Sequence, residues 1–185
     1  VKDLFRKLGR WSWMLLEGEP GHRTRIVQVY SVGNNKSMEL GSVYQQSLHC
    51  IQTNDLRSRS DPTKPITPKD LLTVDLLEQL RTWKKQGDRM VVMMDANDHI
   101  LTGSLGKAIV SQRWDTGLEE VSHRVWSNVA PNTYIRGREP VDGVWASSAL
   151  EIVGLKILPF QSSVGDHRGM VFDITMRSLL GRYEA

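Results

Sequence analysis

The run Met90-Val91-Val92-Met93-Met94 constrains the fold of this chain more than any other segment. It is apolar without alternation, the pattern of a strand covered on both faces. Arg89 before it and the polar Asp95-Ala96-Asn97-Asp98-His99 after it fix its ends. Asp95 and Asn97 therefore stand where the strand leaves the core. Strand ends of open α/β sheets collect functional groups, because the sheet holds them rigidly while the loop keeps them accessible. Two later strand ends carry the same chemistry. One is Val141-Asp142-Gly143-Val144-Trp145; the other is Gly165-Asp166-His167-Arg168-Gly169, which leads into the apolar stretch from Met170 to Ile174.

Along the rest of the chain, Trp11 to Leu16 and Arg25 to Val32 are strand-like, and Gly18-Glu19-Pro20-Gly21 between them supplies turn chemistry for an antiparallel hairpin. A short helix is expected over Ser42 to Ile51, followed by a polar, proline-bearing surface loop from Asn54 to Pro68. Thr67-Pro68-Lys69-Asp70 is a helix start, with an N-cap, a proline at the first position and an acid in the first turn. Leu72, Leu76, Leu80 and Trp83 line one face of the helix that follows, and Gly87 can end it. A helix is expected from Leu105 to Trp114, and strands around Val141 to Ala146, Ile152 to Leu158 and Met170 to Thr175. Mixed helices, strands and hairpins point to a layered α/β or α+β domain.

The totals agree with one domain over residues 1–185, since 185 residues with 39 % hydrophobic and 24 % charged is ordinary for a globular chain with a substantial core. The longest apolar run is about five residues against the roughly twenty that span a bilayer, and Val1-Lys2-Asp3-Leu4 has no apolar signal region, so no membrane partner is expected. Cys50 alone forms no internal disulfide, which favours a reducing, intracellular compartment. The net charge of +3 gives slight support to a polyanionic partner. Val1 in place of an initiating Met marks the chain as an expected piece of something longer.

Asp95, Asn97, Asp142, Asp166 and His167 are the residue types that metal-assisted phosphodiester hydrolysis requires. A hard cation takes oxygen ligands and keeps several waters, so one or two carboxylates plus substrate phosphate suffice. A carboxylate or histidine can activate water, and a cationic histidine can stabilise charge growing on phosphate. A second carboxylate bonded to that histidine fixes its tautomer and keeps it protonated, and Asp142 is the candidate. Any single Asp after a strand is more often a turn former than a catalyst; three such ends with an adjacent Asp-His pair are harder to ascribe to turns. Asp98 and His99 are expected to be solvated, and His22, His49 and His123 to be surface or structural. The six Trp residues read as core more than as base-stacking platforms. Arg136 and Arg138, before the Asp142 strand, are either phosphate contacts or a solvated turn. Gly103-Ser104-Leu105-Gly106-Lys107 lacks the spacing and the following Ser/Thr of a phosphate loop, and neither a Gly-x-Ser-x-Gly elbow nor a His-Glu-x-x-His motif occurs.

The order of motifs resembles the endonuclease/exonuclease/phosphatase superfamily, which includes apurinic endonucleases, DNase I-like nucleases and the endonuclease domains of LINE-type retroelements. The residues that carry the likeness are Tyr30 in Val27-Gln28-Val29-Tyr30, then Asp95-Ala96-Asn97, then Asp142-Gly143-Val144-Trp145, then Asp166-His167. The resemblance implies a DNase I-like layered β-sandwich flanked by helices. By resemblance Asp95 positions or deprotonates the nucleophile and shares the metal with Asp166. Asn97 holds the phosphate, His167 contacts it, Asp142 orients His167, and Tyr30 lines the pocket. The cofactor implied is Mg²⁺ or Mn²⁺, weakly bound here, and the partner DNA or another phosphodiester. Gly9-Arg10-Trp11-Ser12-Trp13 and Thr133-Tyr134-Ile135-Arg136-Gly137 look most like retroelement-type members, which implies a nuclear location.

Met94 replaces the usual Gly before the central Asp, and Gly165 the usual Ser before the terminal Asp-His. A larger departure is that only 29 residues precede Tyr30 and no Asn occurs before Asn34, whereas the family places an Asn and a metal-binding Glu well upstream. The chain is thus expected to be an N-terminally truncated domain, inactive alone, open to self-association or to a complementing N-terminal half. The rival readings are a non-catalytic structural module of the same fold and a phosphatase of lipid or inositol phosphates.

Overall fold

The computed structural model describes residues 10–33, 41–53, 67–128 and 130–182. The apolar run becomes β3 (Arg89–Asp95), third in a five-stranded sheet. β2 (Arg23–Tyr30) runs parallel to it on one side, and β5 (Asp142–Ser147) antiparallel on the other. β1 (Trp11–Glu17) is the hairpin partner of β2, and β4 (Leu118–Glu120) pairs with β5, so the order is β1-β2-β3-β5-β4. β6 (Ile152–Ile157) and β7 (Met170–Ile174) form a separate antiparallel pair. The layered α/β architecture expected from the sequence is therefore present.

One face of the five-stranded sheet is covered by helices over β2 and β3. Helix α1 (Val43–Thr53) packs on α2 (Pro68–Lys85), which begins with the expected capping box: Asp70 N–H donates to Thr67 Oγ1 at 3.2 Å, and Thr67 N–H donates to Asp70 Oδ2 at 3.3 Å. Beyond its last turn Gly87 takes a φ of 82°, where only glycine is unstrained. Leu71, Leu72, Leu76, Leu77, Leu80 and Trp83 are buried against Val27 and Val29 of β2 and Met90, Val92 and Met94 of β3. Each such side chain contributes about 1.5–3 kcal/mol when removed from water. The other face packs Ile26, Val91, Met93, Val144 and Ala146 against Leu155, Met170 and Phe172 of β6 and β7, and against Leu179 of α6 (Met176–Leu180). Among the described residues that second layer is two strands wide, and Met14 of β1 is 59 % exposed while Gln28 and Tyr30 face solvent.

Three details differ from the sequence reading. The helix expected over 105–114 is broken at Gln112, whose φ of −112° and ψ of 21° leave the helical range, into α3 (Ser104–Ser111) and α4 (Arg113–Thr116), and Gly117 at φ 70° then ends α4 ahead of β4. Helix α5 (Val121–Trp126), capped by the Glu120 carboxylate, was not expected at all. Trp11, Trp83 and Trp145 are core as expected, but Trp13 and Trp126 are partly exposed and Trp114 is 78 % exposed. Trp13 instead stacks on the Arg25 guanidinium at 4.3 Å, whose Nε donates to Asp88 Oδ2 at 2.6 Å. Most of the expected loop from Asn54 to Pro68 lies outside the described residues.

Gly106 shows how tightly α3 is docked. A Cβ there would lie 2.1 Å from the Ile100 carbonyl oxygen, a backbone atom that cannot swing aside. Alanine should favour a helix by about 1 kcal/mol, yet Gly106→Ala is expected to destabilise by at least about 1–3 kcal/mol through overpacking. Urea unfolding checks it; a variant as stable as the parent would refute the close docking.

Candidate active site

Tyr30 pairs with Asp95 across β2 and β3, and Asp95 pairs with Asp142 across β3 and β5. Side chains alternate along a strand, so residues in register share a face. Tyr30, Asp95 and Asp142 thus form one lateral row on the thinly covered side. The row borders an open cavity of about 430 Å³, lined also by Gln28, Met93, Val144, Met170 and Phe172. A larger cavity of about 530 Å³ is lined by Val110, Arg113, His123 and Trp145, but none of the candidate site residues reaches it.

His167 joins the row from the loop before β7. Its Nδ1 lies 2.7 Å from Asp142 Oδ2, the hydrogen-bond separation expected from the sequence for two residues 25 positions apart. The loop is held by Thr133 and its neighbours: Tyr134 and His167 form a β-bridge, Ile135 N–H donates to Asp166 O, and Arg168 N–H donates to Thr133 O. The Thr133 hydroxyl, fully buried, accepts from Val141 and Asp142 N–H at 3.0 and 2.9 Å and so aims the start of β5. The Tyr134 ring lies 5.0 Å from the imidazole. Burial alone would lower the His167 pKa, but the hydrogen bond and charge of Asp142, followed by Asp95 and Asp166, outweigh it and hold the imidazole above its ordinary value.

Asp95 is pushed above the usual carboxylate range, first by burial and then by the charge of Asp142, against the pull of the Asn97 N–H, His167 and Lys69. Asn97 adopts a left-handed conformation with φ 45°, an uncommon state that asparagine tolerates better than most residues. Its N–H donates to Asp95 Oδ1 at 2.9 Å, and its Nδ2 donates to Ser31 O at 2.8 Å and Asp95 Oδ2 at 3.4 Å. Both neighbours accept, so the amide orientation is settled. Asn97 here braces the loop after β2 against Asp95, and the longer of its two bonds is the one a substrate oxygen could replace.

Asp98 is partly exposed, as the sequence reading expected, but it is also tied into the structure. Its Oδ2 accepts from Lys69 Nζ at 2.9 Å and Ser104 N–H at 3.1 Å, and its Oδ1 from His99 N–H at 2.9 Å. Burial raises its pKa, but Lys69 and these N–H donors outweigh it and hold the carboxyl below its usual range. His99 Nδ1 accepts from Leu101 and Thr102 N–H, so that ring is part of the turn. Arg136 is exposed at a turn closed by Gly137 N–H to Tyr134 O. Lys69, Ser31 and Thr133 were not singled out from sequence; each acts through a partner far along the chain or through backbone.

The donor set suits a divalent cation. Among the described residues, Asp95, Asp142 and His167 each offer a ligand atom within 4.8 Å of the others; the two carboxylates are the hard oxygen donors that such a cation takes, while the imidazole, once protonated, has no lone pair to give and acts as a charge partner instead. Asp166 stands outside this trio, largely exposed, with Oδ1 4.0 Å from His167 Nε2.

No family model matches the sequence, and no curated protein does. Solved structures match its fold. The catalytic domain of human Nocturnin, with a bound sulfate anion, aligns with a TM-score of 0.55 at 16 % identity over 90 % of this chain and 61 % of that one. The endonuclease domain of TRAS1, a telomere-specific non-LTR retrotransposon, gives 0.52 at 17 % identity over 91 % and 64 %. A variant of the 3′ phosphatase NExo from Neisseria, bound to product DNA hairpin, gives 0.55 at 12 % identity over 91 % and 81 %. The chain thus has the endonuclease/exonuclease/phosphatase fold, and it spans less than two thirds of the first two structures.

The Asp142–His167 bond sets a pH dependence. A histidine whose folded pKa is raised contributes stability fully below its unfolded pKa of about 6.5, and the contribution is lost as pH rises through the folded value. Asp142→Asn in EDTA should lower the His167 pKa, read by NMR titration of the imidazole, and should cost more stability at pH 5.5 than at pH 8.5. An unchanged titration would refute the pairing. Asp95 has the opposite role. Its raised pKa makes the ionised form a liability that grows as pH rises from the unfolded value of about 3.9. Asp95→Asn, which keeps the acceptor for Asn97, should therefore be at least as stable as the parent at pH 7 in EDTA, with the difference vanishing near pH 3. Thermal unfolding across that range decides it.

Proposed function

We propose that this chain carries the active-site side of a divalent-metal-dependent phosphodiester hydrolase, with DNA as substrate. The observation that supports it best is the lateral row of Tyr30, Asp95 and Asp142, closed at one end by His167 bonded to Asp142. A carboxylate with a raised pKa is a better proton acceptor near neutral pH. Asp95 takes the proton of an attacking water, whose oxygen adds to phosphorus as the bond to the leaving oxygen breaks. His167, kept cationic by Asp142, faces the charge that develops on the phosphoryl oxygens. Tyr30 forms the wall of the pocket, and Asn97 and Arg136 are further phosphate contacts. A cation bound at Asp95 and Asp142, with Asp166 nearby, would polarise a phosphoryl oxygen. A retroelement-type role would place the protein in the nucleus.

Two carboxylates hold a reluctantly dehydrated ion weakly, so turnover by the isolated chain is slow. A second reading, self-association or pairing with a complementing half, is favoured by the two-stranded second layer and by exposed Met14.

In a plasmid-nicking assay with millimolar Mg²⁺, the 185-residue chain should nick slowly, not at all in EDTA, and not at all after Asp95→Ala. Duplex binding should weaken steeply with salt, because phosphate contacts release counterions. Salt-insensitive binding, or nicking that survives Asp95→Ala, would overturn the reading.

A further inference from the structure

The row does not end at Tyr30. In the β1–β2 ladder Trp11 stands opposite Val29, and one step further Tyr30 N–H donates to Arg10 O at 2.7 Å. Arg10 is therefore opposite Tyr30. Trp11 faces the helical core, so alternation turns Arg10 to the side of the row. Its guanidinium carbon lies 5.8 Å from the centre of the Tyr30 ring. Arg10, the residue before β1, thus extends the row of Tyr30, Asp95 and Asp142 on one face.

Arg10 differs from the other buried cations. Only 8 % of it is exposed. Arg25 and Lys69, buried to the same degree, each hold a carboxylate: Asp88 at 2.6 Å and Asp98 at 2.9 Å. Among the described residues no carboxylate pairs with Arg10, and its Nε is enclosed without an acceptor. A cation out of water with no counter-charge is costly, and such costs are retained where a ligand supplies the missing charge. Burial pulls the guanidinium below its ordinary pKa, with Tyr30 and Cys50 opposing, yet arginine remains protonated at neutral pH.

We propose that Arg10 binds a backbone phosphate of the substrate neighbouring the one placed at Asp95 and His167. This rests on the phosphodiester reading and narrows it. Neighbouring strands are about 4.8 Å apart, so Tyr30, where the guanidinium rests, and Asp142, where the imidazole is bound, are about 10 Å apart. One phosphate group does not reach both; two successive phosphates of a polynucleotide do. A planar fork of N–H donors suits a phosphate better than a point charge does. The substrate is then a nucleic-acid strand crossing the row, not a phosphomonoester or an inositol phosphate headgroup.

Binding of a short fluorescent DNA duplex in EDTA, measured by anisotropy across a KCl series, tests this with the wild-type chain, Arg10→Gln and Arg10→Lys. Each phosphate contact contributes about 0.9 to the slope of log affinity against log salt. Arg10→Gln should lower that slope by about one and weaken binding about tenfold at low salt. Arg10→Lys should keep the slope and bind less tightly than wild type. Arg10→Gln should unfold at the same temperature as wild type or higher, because it removes a buried charge that no described carboxylate offsets. Wild-type binding with an unchanged slope in Arg10→Gln overturns the role of Arg10 and leaves the phosphodiester reading standing. No salt-dependent binding by wild type overturns both. A lowered unfolding temperature in Arg10→Gln, with Arg10→Lys restoring stability and full wild-type affinity, marks a structural arginine and overturns the proposal.

Discussion

The pairing register of β2, β3 and β5 is the constraint on which the site depends. A one-residue slip of any of these strands would carry Tyr30, Asp95 or Asp142 to the opposite face. What forbids the slip is the packing on that opposite face, where Val27, Val29, Met90, Val92 and Met94 are buried under the leucines of α2. At about 1.5–3 kcal/mol each, several of these side chains outweigh the cost of the row. Two carboxylates with oxygens within 4.8 Å repel by about 3–4 kcal/mol if both are charged at an effective dielectric near 20. The hydrophobic face therefore fixes a polar arrangement that would not form by itself.

The site moderates that repulsion with cations placed at different depths. His167 is bonded to Asp142 and also lowers the cost of ionising Asp95. Lys69 acts on Asp95 from a distance while bound to Asp98, so it stays fixed whatever occupies the cavity. Asp98 has become structural, joining the first turn of α2, the end of β3 and the start of α3. Asn97, in its left-handed conformation, adds the last brace by holding the Ser31 carbonyl. The groups of the candidate site are thus braced by their neighbours on the side away from the cavity.

The strand ends were legible because a continuous apolar run followed by Asp-x-Asn, and an Asp-His before another apolar run, are local patterns. Their meeting was legible only as far as the order of motifs resembles a known family. Thr133 and Ser31 were not, since one acts through a buried hydroxyl and the other through a carbonyl, neither visible as a residue type with chemistry. Lys69 looked like an ordinary first-turn residue of α2, and its partner lies 29 positions on. The break at Gln112 was hidden because it is a departure of the backbone, φ −112° and ψ 21°, at a residue that is neither glycine nor proline. Arg10 looked like one more basic residue ahead of a strand; that no carboxylate among the described residues pairs with it is a property of three-dimensional packing.

The thin second layer and the site are one feature seen from two sides. The cavity that receives Asp95 and Asp142 is also lined by Met93, Met170 and Phe172, so the row sits at the boundary between covered and uncovered sheet. A second layer extended over β1 and β2 would lie against Gln28 and Met14 and would border Tyr30 and Arg10. Anything that hides this apolar face must then leave the Arg10 end of the row open, or it excludes a strand running across it. Association through the open face and binding of a long polyanion would therefore draw on the same surface, and Arg10, with no carboxylate partner among the described residues, is a poor neighbour for an apolar layer and a good one for phosphate.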